Sequence, residues 1–151
     1  FNYGAKKYAR VREAYRVSVA LGVAISLVSF ALFQICPRQI LQLFGDNTEQ
    51  YFAFGVQFFR IFLFFTWLNA LQPLTANFFT SIGKPKKGIF LTRQLLFFLP
   101  LIIILPRIFG VVGLMYTAPI ADVAAGVVAI TMAAAEFRLM KRQEQELAGM
   151  A

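Results

Sequence analysis

Four apolar stretches, residues 17–35, 52–79, 89–105 and 111–135, divide the chain, and each approaches or exceeds the length a helix needs to cross a bilayer. A hydrocarbon core of about 30 Å takes about 20 helical residues. The basic residues between the stretches are sorted by segment. Lys6, Lys7, Arg10, Arg12 and Arg16 precede the first, and Arg38 follows it, diluted by Asp46 and Glu49. Lys84, Lys86 and Lys87 follow the second stretch, Arg107 stands alone after the third, and Arg138, Lys141 and Arg142 follow the last. Rich and poor segments therefore alternate, as the positive-inside rule requires of a chain that crosses a membrane repeatedly. The pattern predicts an all-α polytopic protein with four transmembrane helices. It places the protein in the plasma membrane with both termini in the cytoplasm and a cytoplasmic tail over 136–151.

Composition agrees. Hydrophobic residues make up 59% of the 151 residues and charged residues 15%, and the mean hydropathy is +0.66. A soluble helical domain has no reason to sort its lysines loop by loop. The net charge of +8 is for the same reason no nucleic-acid footprint. Most basic residues lie in the segments assigned to the cytoplasm, where anionic headgroups attract them, so the partner implied is the lipid bilayer. Catalysis finds little support. There is no histidine, Cys36 is the single cysteine, and no phosphate-binding loop, nucleophile elbow or HExxH helix occurs. No catalytic residue, cofactor or metal site is expected.

Polar residues inside the apolar stretches carry the functional reading. At 100° per residue, Thr66, Asn69, Pro73, Asn77 and Thr80 share one face of the second span, with Gln72 at its edge. Pro73 cannot donate to the carbonyl of Asn69, which predicts a free acceptor at membrane depth. Such a face lines a wet cavity or glues helices together, and the sequence leaves both open. Arg60 reads as an interfacial residue whose stem can reach the outer surface. Asp122 sits about 16 Å into the fourth span, near the midplane, where a carboxylate costs at least ~2.5 kcal/mol unless paired, protonated or hydrated. Arg93, on the third span, is a partner for it by depth. The pair is either a structural lock or a carboxylate that exchanges H⁺ or Na⁺ with its surroundings. Beside Asp122, Gly113, Thr117, Ala121, Ala125, Ala129 and Ala133 recur every fourth residue as a close-packing face. Ser18, Gly22, Ser26 and Ser29 make a shorter such face on the first span. Beyond Pro37 a short amphipathic helix is expected, closed by Gly45, and Gly110 with Gly113 marks a tight turn between spans three and four.

Several runs resemble the multidrug and toxic compound extrusion (MATE) family. They are Asn2-Tyr3-Gly4-Ala5-Lys6-Lys7 with Arg10-Val11, Ser81-Ile82-Gly83-Lys84-Pro85-Lys86, Arg93-Gln94 through Leu99-Pro100-Leu101 to Leu105-Pro106, and Phe109-Gly110-Val111-Val112-Gly113 leading to Ala118-Pro119-Ile120-Ala121-Asp122. In order and spacing they are most similar to the bacterial MepA-type exporters. The resemblance implies helices nine to twelve of a twelve-helix, two-lobe transporter, so that 1–151 is part of the C-terminal lobe and needs the N-terminal lobe as partner. The opening at Phe1, within a loop motif, fits a piece of a longer protein. The implied activity is secondary antiport, exporting drug-like cationic or amphipathic molecules in exchange for H⁺ or Na⁺. Asp122, Asn69, Gln72, Asn77, Thr66 and Arg93 are then the residues expected to bind substrate or couple the ion. The second span holds no acid where some branches of the family carry one, so the coupling ion stays open. A lipid-linked sugar flippase of the same superfamily and a non-transporting four-helix membrane scaffold are the alternatives. The first calls for more cations in the spans than Arg60 and Arg93. The second calls for spans without Asn69, Gln72 and Asp122.

Overall fold

Helices fill the described parts of the apolar stretches, and proline, glycine or a capping side chain marks most of their ends. The computed structural model describes residues 1–45, 48–92 and 95–149, all of whose regular elements are helical. Helix α1 spans Tyr8–Ile35, 28 residues or about 42 Å. It ends at Cys36, and Pro37 opens the short helix α2, Pro37–Gln42, from the first position, where its missing N–H costs nothing. Gly45, at φ 133°, follows, as its place after the amphipathic segment predicts. Thr48 caps α3, Glu49–Phe62, by accepting the backbone N–H of Tyr51 at 3.3 Å, with Glu49 in the favourable first turn.

The second apolar stretch is not one helix. After α3 the chain loosens at Leu63, passes through a 3₁₀ segment, Thr66–Ala70, and resumes as α4, Leu71–Ser81. The two halves meet at 49°. Pro73 therefore lies in the first turn of α4, where no intrahelical donor is required. The freed carbonyl expected mid-helix at Asn69 is instead part of a break already made upstream. Helix α5, Pro85–Thr92, packs back along α4, and α6 covers Leu95–Gly149. Arg93 and Gln94 lie outside the described residues, and with them the expected partnership of Arg93 with Asp122.

The 55 residues of α6 are two helices joined at Gly110, whose φ of 61° and ψ of −145° suit glycine and little else. The chain reverses there. A Cβ added to Gly113 would come within 2.6 Å of the carbonyl carbon of Leu105, whereas eight residues of straight helix span about 12 Å. The absent side chain at Gly113 is what lets the two arms touch. By length and apolarity two helices, Tyr8–Ile35 and Phe98–Gly149, suffice to cross a membrane, and the bent pair Glu49–Phe62 with Thr66–Ser81 makes a third. The expected number of four depends on counting the arms on either side of Gly110 separately.

Packing is densest at the end of the molecule where α1 begins. Tyr8, Val11, Phe78, Phe79, Leu91, Ala129 and Met140 form one buried cluster, sealed by edge-on contacts of Phe137 with Tyr15 and Phe78 at 5.4 and 5.9 Å. Thr117, Ala121, Ala125, Ala129 and Ala133 are all buried, as the fourfold spacing predicts. The face on α1 is only half used. Gly22 meets Leu74 of α4, but Ser18 and Ser29 are exposed and turn their hydroxyls onto carbonyls of their own helix. Beyond Arg16, α1 shows an apolar stripe of Val17, Leu21, Ile25, Val28 and Leu32, each more than half exposed. In water this would be untenable; in lipid it is expected.

Substituting Gly110 by valine should cost about 1–3 kcal/mol, because a β-branched residue cannot take this backbone conformation without strain. Thermal unfolding in detergent should show a drop of several degrees, and an unchanged transition would contradict the reversal.

Candidate functional site

Asp122 is brought against the bent second span. Its side chain is enclosed between α6 and the 3₁₀ segment, and the residue is 4% exposed. Asn69 Nδ2 donates to Asp122 Oδ2 at 3.5 Å. The 3₁₀ geometry explains why this amide arrives there. Between Thr66 and Ala70 each residue turns about 120° rather than 100°, which rotates Asn69 relative to the polar residues of α4. Gly126, one turn further along α6, faces Leu68, so the two segments stay in contact below the acid.

The remaining expected site residues divide. Asn69, Pro73, Asn77 and Thr80 form an exposed ridge along the second span. Thr66 is half-buried and donates to the carbonyl of Leu63 at 2.8 Å, closing the break rather than facing a ligand. Gln72, placed by sequence at the edge of the polar stripe, turns inward: it is 7% exposed and its amide donates to the carbonyl of Leu91 on α5. Asn77 lies some distance along the helix from Asn69, in a cleft of about 370 Å³ also lined by Asn2, Tyr3, Ser18 and Ser81. The structure thus unites Asp122 with Asn69 and leaves Asn77 in a separate opening where the Asn2-Tyr3 motif folds over α4. Among the described residues no group of three acidic, cysteine or histidine side chains is placed to hold a metal ion.

Sequence reasoning missed a second carboxylate. Glu136, one residue beyond the fourth apolar stretch, is 1% exposed and accepts from both Lys84 and Lys87, the latter at 3.0 Å. The lysines of the 81–88 turn are thus not only markers of sidedness. They pin that turn to α6, while Tyr3 lies under Lys84 and Phe79 under Lys87. Burial alone would raise the Glu136 pKa, but hydrogen bonds and charge from Lys84 and Lys87 outweigh it and hold it below the usual value. Desolvation would lower that of Lys84, and Glu136 outweighs it in turn, so it stands above the usual lysine value. A second tie, Arg12 to Glu144 at 2.8 Å, joins the start of α1 to the end of α6. The signal available in the sequence was a lone acid on the buried face of a helix, four residues after Met132 and four before Met140.

Apolar helices with exposed aliphatic faces, long enough to cross a bilayer, define a helical membrane protein. The MatE family model matches residues 1–105, more than two thirds of the chain, and the chain belongs to that family of multidrug and toxic compound extrusion transporters. The match takes in Asn69 and the 81–88 turn; Asp122 and Glu136 lie beyond it. Comparison with curated proteins and with solved structures gives no match.

The Glu136 clamp predicts a pH profile. A depressed carboxylate adds stability that is present above its unfolded value of about 4.3 and is lost as pH falls through the folded one. A raised lysine adds stability present below its unfolded value of about 10.4 and lost as pH climbs through the folded one. The melting temperature in detergent should be level between about pH 5 and 10 and fall outside that window. Glu136→Gln should lower the plateau and flatten its acid edge; an unaltered acid edge would contradict the clamp.

Proposed function

We propose that the chain is part of the C-terminal lobe of a secondary antiporter that exports cationic or amphipathic drugs in exchange for H⁺ or Na⁺. In this reading its segments correspond to helices nine to twelve of a two-lobe transporter of the MepA type, in the plasma membrane, with both ends in the cytoplasm. Four crossings follow if the arms before and after Gly110 each span the bilayer. The observation that carries the proposal is Asp122. A carboxylate enclosed near the middle of an apolar helix is costly, and an amide on the facing span meets it across a bend.

The arrangement suits ion exchange. A carboxylate held by an amide at a helix break changes its hydration when the break moves, and with it the affinity for a proton or a small cation. The 3₁₀ segment supplies such a break. Its 49° bend is the place where α3 can swing relative to α4 without unmaking a regular hydrogen-bond ladder. The exposed ridge of Asn69, Asn77 and Thr80 is polar enough to face a hydrated cavity shared with the N-terminal lobe. Arg93, outside the described residues, belongs to the proposal only through its place in the sequence of the third apolar stretch.

Asp122→Asn in the intact protein, reconstituted in vesicles, should cut ion-driven efflux of a cationic dye by at least about tenfold, close to 1.4 kcal/mol in the transport barrier. Separate proton and sodium gradients identify the ion. Wild-type efflux from a variant with an undiminished melting temperature would overturn the role given to this acid.

A further inference from the structure

Two cavities meet at Arg60, and their chemistry is opposite. One, of about 610 Å³, lies where the second span breaks and is bounded by Ile61, Phe64, Phe65, Tyr116, Ile120 and Val123, with Arg60 as its only charged residue. The other, of about 440 Å³, lies where α2 meets α3 and is lined by polar groups including Arg38, Gln39 and Glu49, again with Arg60. In the second cavity Arg38 is paired with Glu49 at 2.5 Å. Among the described residues that line the two cavities, the net charge is therefore that of Arg60, which is exposed and makes no ion pair among them.

Position adds to this. Arg60 stands eleven residues past Glu49, about 16 Å along α3, and its long stem carries the guanidinium back toward the polar cavity that it shares with Arg38 and Glu49. Phe64, Tyr116, Ile120 and Val123 are between 36% and 50% exposed, so the apolar cavity is an open groove on the surface of the described residues and not an enclosed void. A guanidinium at the junction of a greasy groove and a polar chamber is complementary to an anion that carries a hydrocarbon tail. It repels the cationic drugs assigned to the transport path.

We infer that this double cavity holds an anionic phospholipid, with one acyl chain in the groove beside Ile120 and Val123 and the phosphate over Arg60. Guanidinium and phosphate match as two parallel charge-assisted hydrogen bonds, and the paired Arg38 and Glu49 line the headgroup chamber without cancelling the charge. A lipid seated there would bridge α3 to the last span at the level of the break, on the same stretch of α6 as Asp122. The inference requires only that the chain lie in a bilayer. It is independent of antiport, and its test reads no transport.

The test is native mass spectrometry of the intact protein released from non-ionic detergent, titrated with phosphatidylglycerol, phosphatidylcholine or glycerol phosphate. Wild type should retain phosphatidylglycerol about tenfold more strongly than phosphatidylcholine, and glycerol phosphate should not compete. Arg60→Gln should abolish the preference, and Ile120→Trp, which fills the groove, should weaken binding of both lipids. Thermal unfolding establishes that each variant is folded, and Ile120→Trp decides the matter if Arg60→Gln is not. Retention of the preference in folded Arg60→Gln, or undiminished binding in folded Ile120→Trp, would overturn the inference. Competition by glycerol phosphate would replace the lipid with a free anion and overturn it equally. Absence of any lipid preference in wild type would mean that another part of the protein covers the groove, and would also overturn it.

Discussion

Close approach of helix backbones is the constraint on which the rest of this structure depends. In lipid there is no hydrophobic force to drive one apolar helix onto another, so association relies on van der Waals contact and on polar groups that find each other. The face of α6 made by Gly113, Thr117, Ala121, Ala125, Ala129 and Ala133 supplies the first. Because these side chains are small, α3, the 3₁₀ segment and α4 all come to rest against it. Gly113 admits the carbonyl of Leu105 and so closes the reversal at Gly110; Gly126 faces Leu68; Ala129 joins the aromatic cluster. The polar contacts then lie on the flank of this seam, Asp122 with Asn69 midway and Glu136 with two lysines at its end. Larger residues on the seam would move both carboxylates out of reach of their partners.

The two carboxylates are held in different places by different groups. Glu136 meets two full positive charges at the edge of the bilayer, and the attraction offsets its desolvation, leaving a fixed tie between the 81–88 turn and the last helix. Asp122 lies within the last apolar stretch and accepts from the Asn69 amide across the bend of the second span, a contact between helix and break rather than between helix and turn. The dense cluster near Tyr8 and Phe79 and the cavities near Arg60 follow the same division: one end of the assembly is tied, the other is open.

Much of this was legible because the signals were periodic or categorical. The all-helical, apolar character of the chain, the fourfold small-residue face, the helix after Pro37 and the turn at Gly110 each announce themselves through spacing or through a residue with one conformational use. The break at Leu63–Phe65 did not. The run Phe62-Leu63-Phe64-Phe65-Thr66-Trp67 holds neither proline nor glycine, and the nearby Pro73 directs attention a full two turns too late. The 100° projection holds for Asn69, Pro73, Asn77 and Thr80, which share an exposed ridge, whereas Thr66, inside the break, closes the bend and Gln72, at the edge of the stripe, falls on the buried face of α4. For Glu136 the spacing from Met132 and Met140 marked the buried face, but not the partners. These are some fifty residues away, and a pairing of that range is set by the fold.

The family places the chain among transporters, and the exposed aliphatic stripe of α1 together with the alternating basic segments gives it a bilayer for solvent. In the proposed topology the chain threads the membrane back and forth, with the connections between crossings carrying Arg38, Lys86 and Arg107. The most direct measurement is labelling of single cysteines, in a Cys36→Ser background, by a membrane-impermeant maleimide on intact cells. Arg38→Cys and Arg107→Cys should label from outside, whereas Lys86→Cys and Gln145→Cys should label only after permeabilisation. Labelling of Lys86→Cys from outside, or of Arg107→Cys and Lys86→Cys from the same side, would contradict the account.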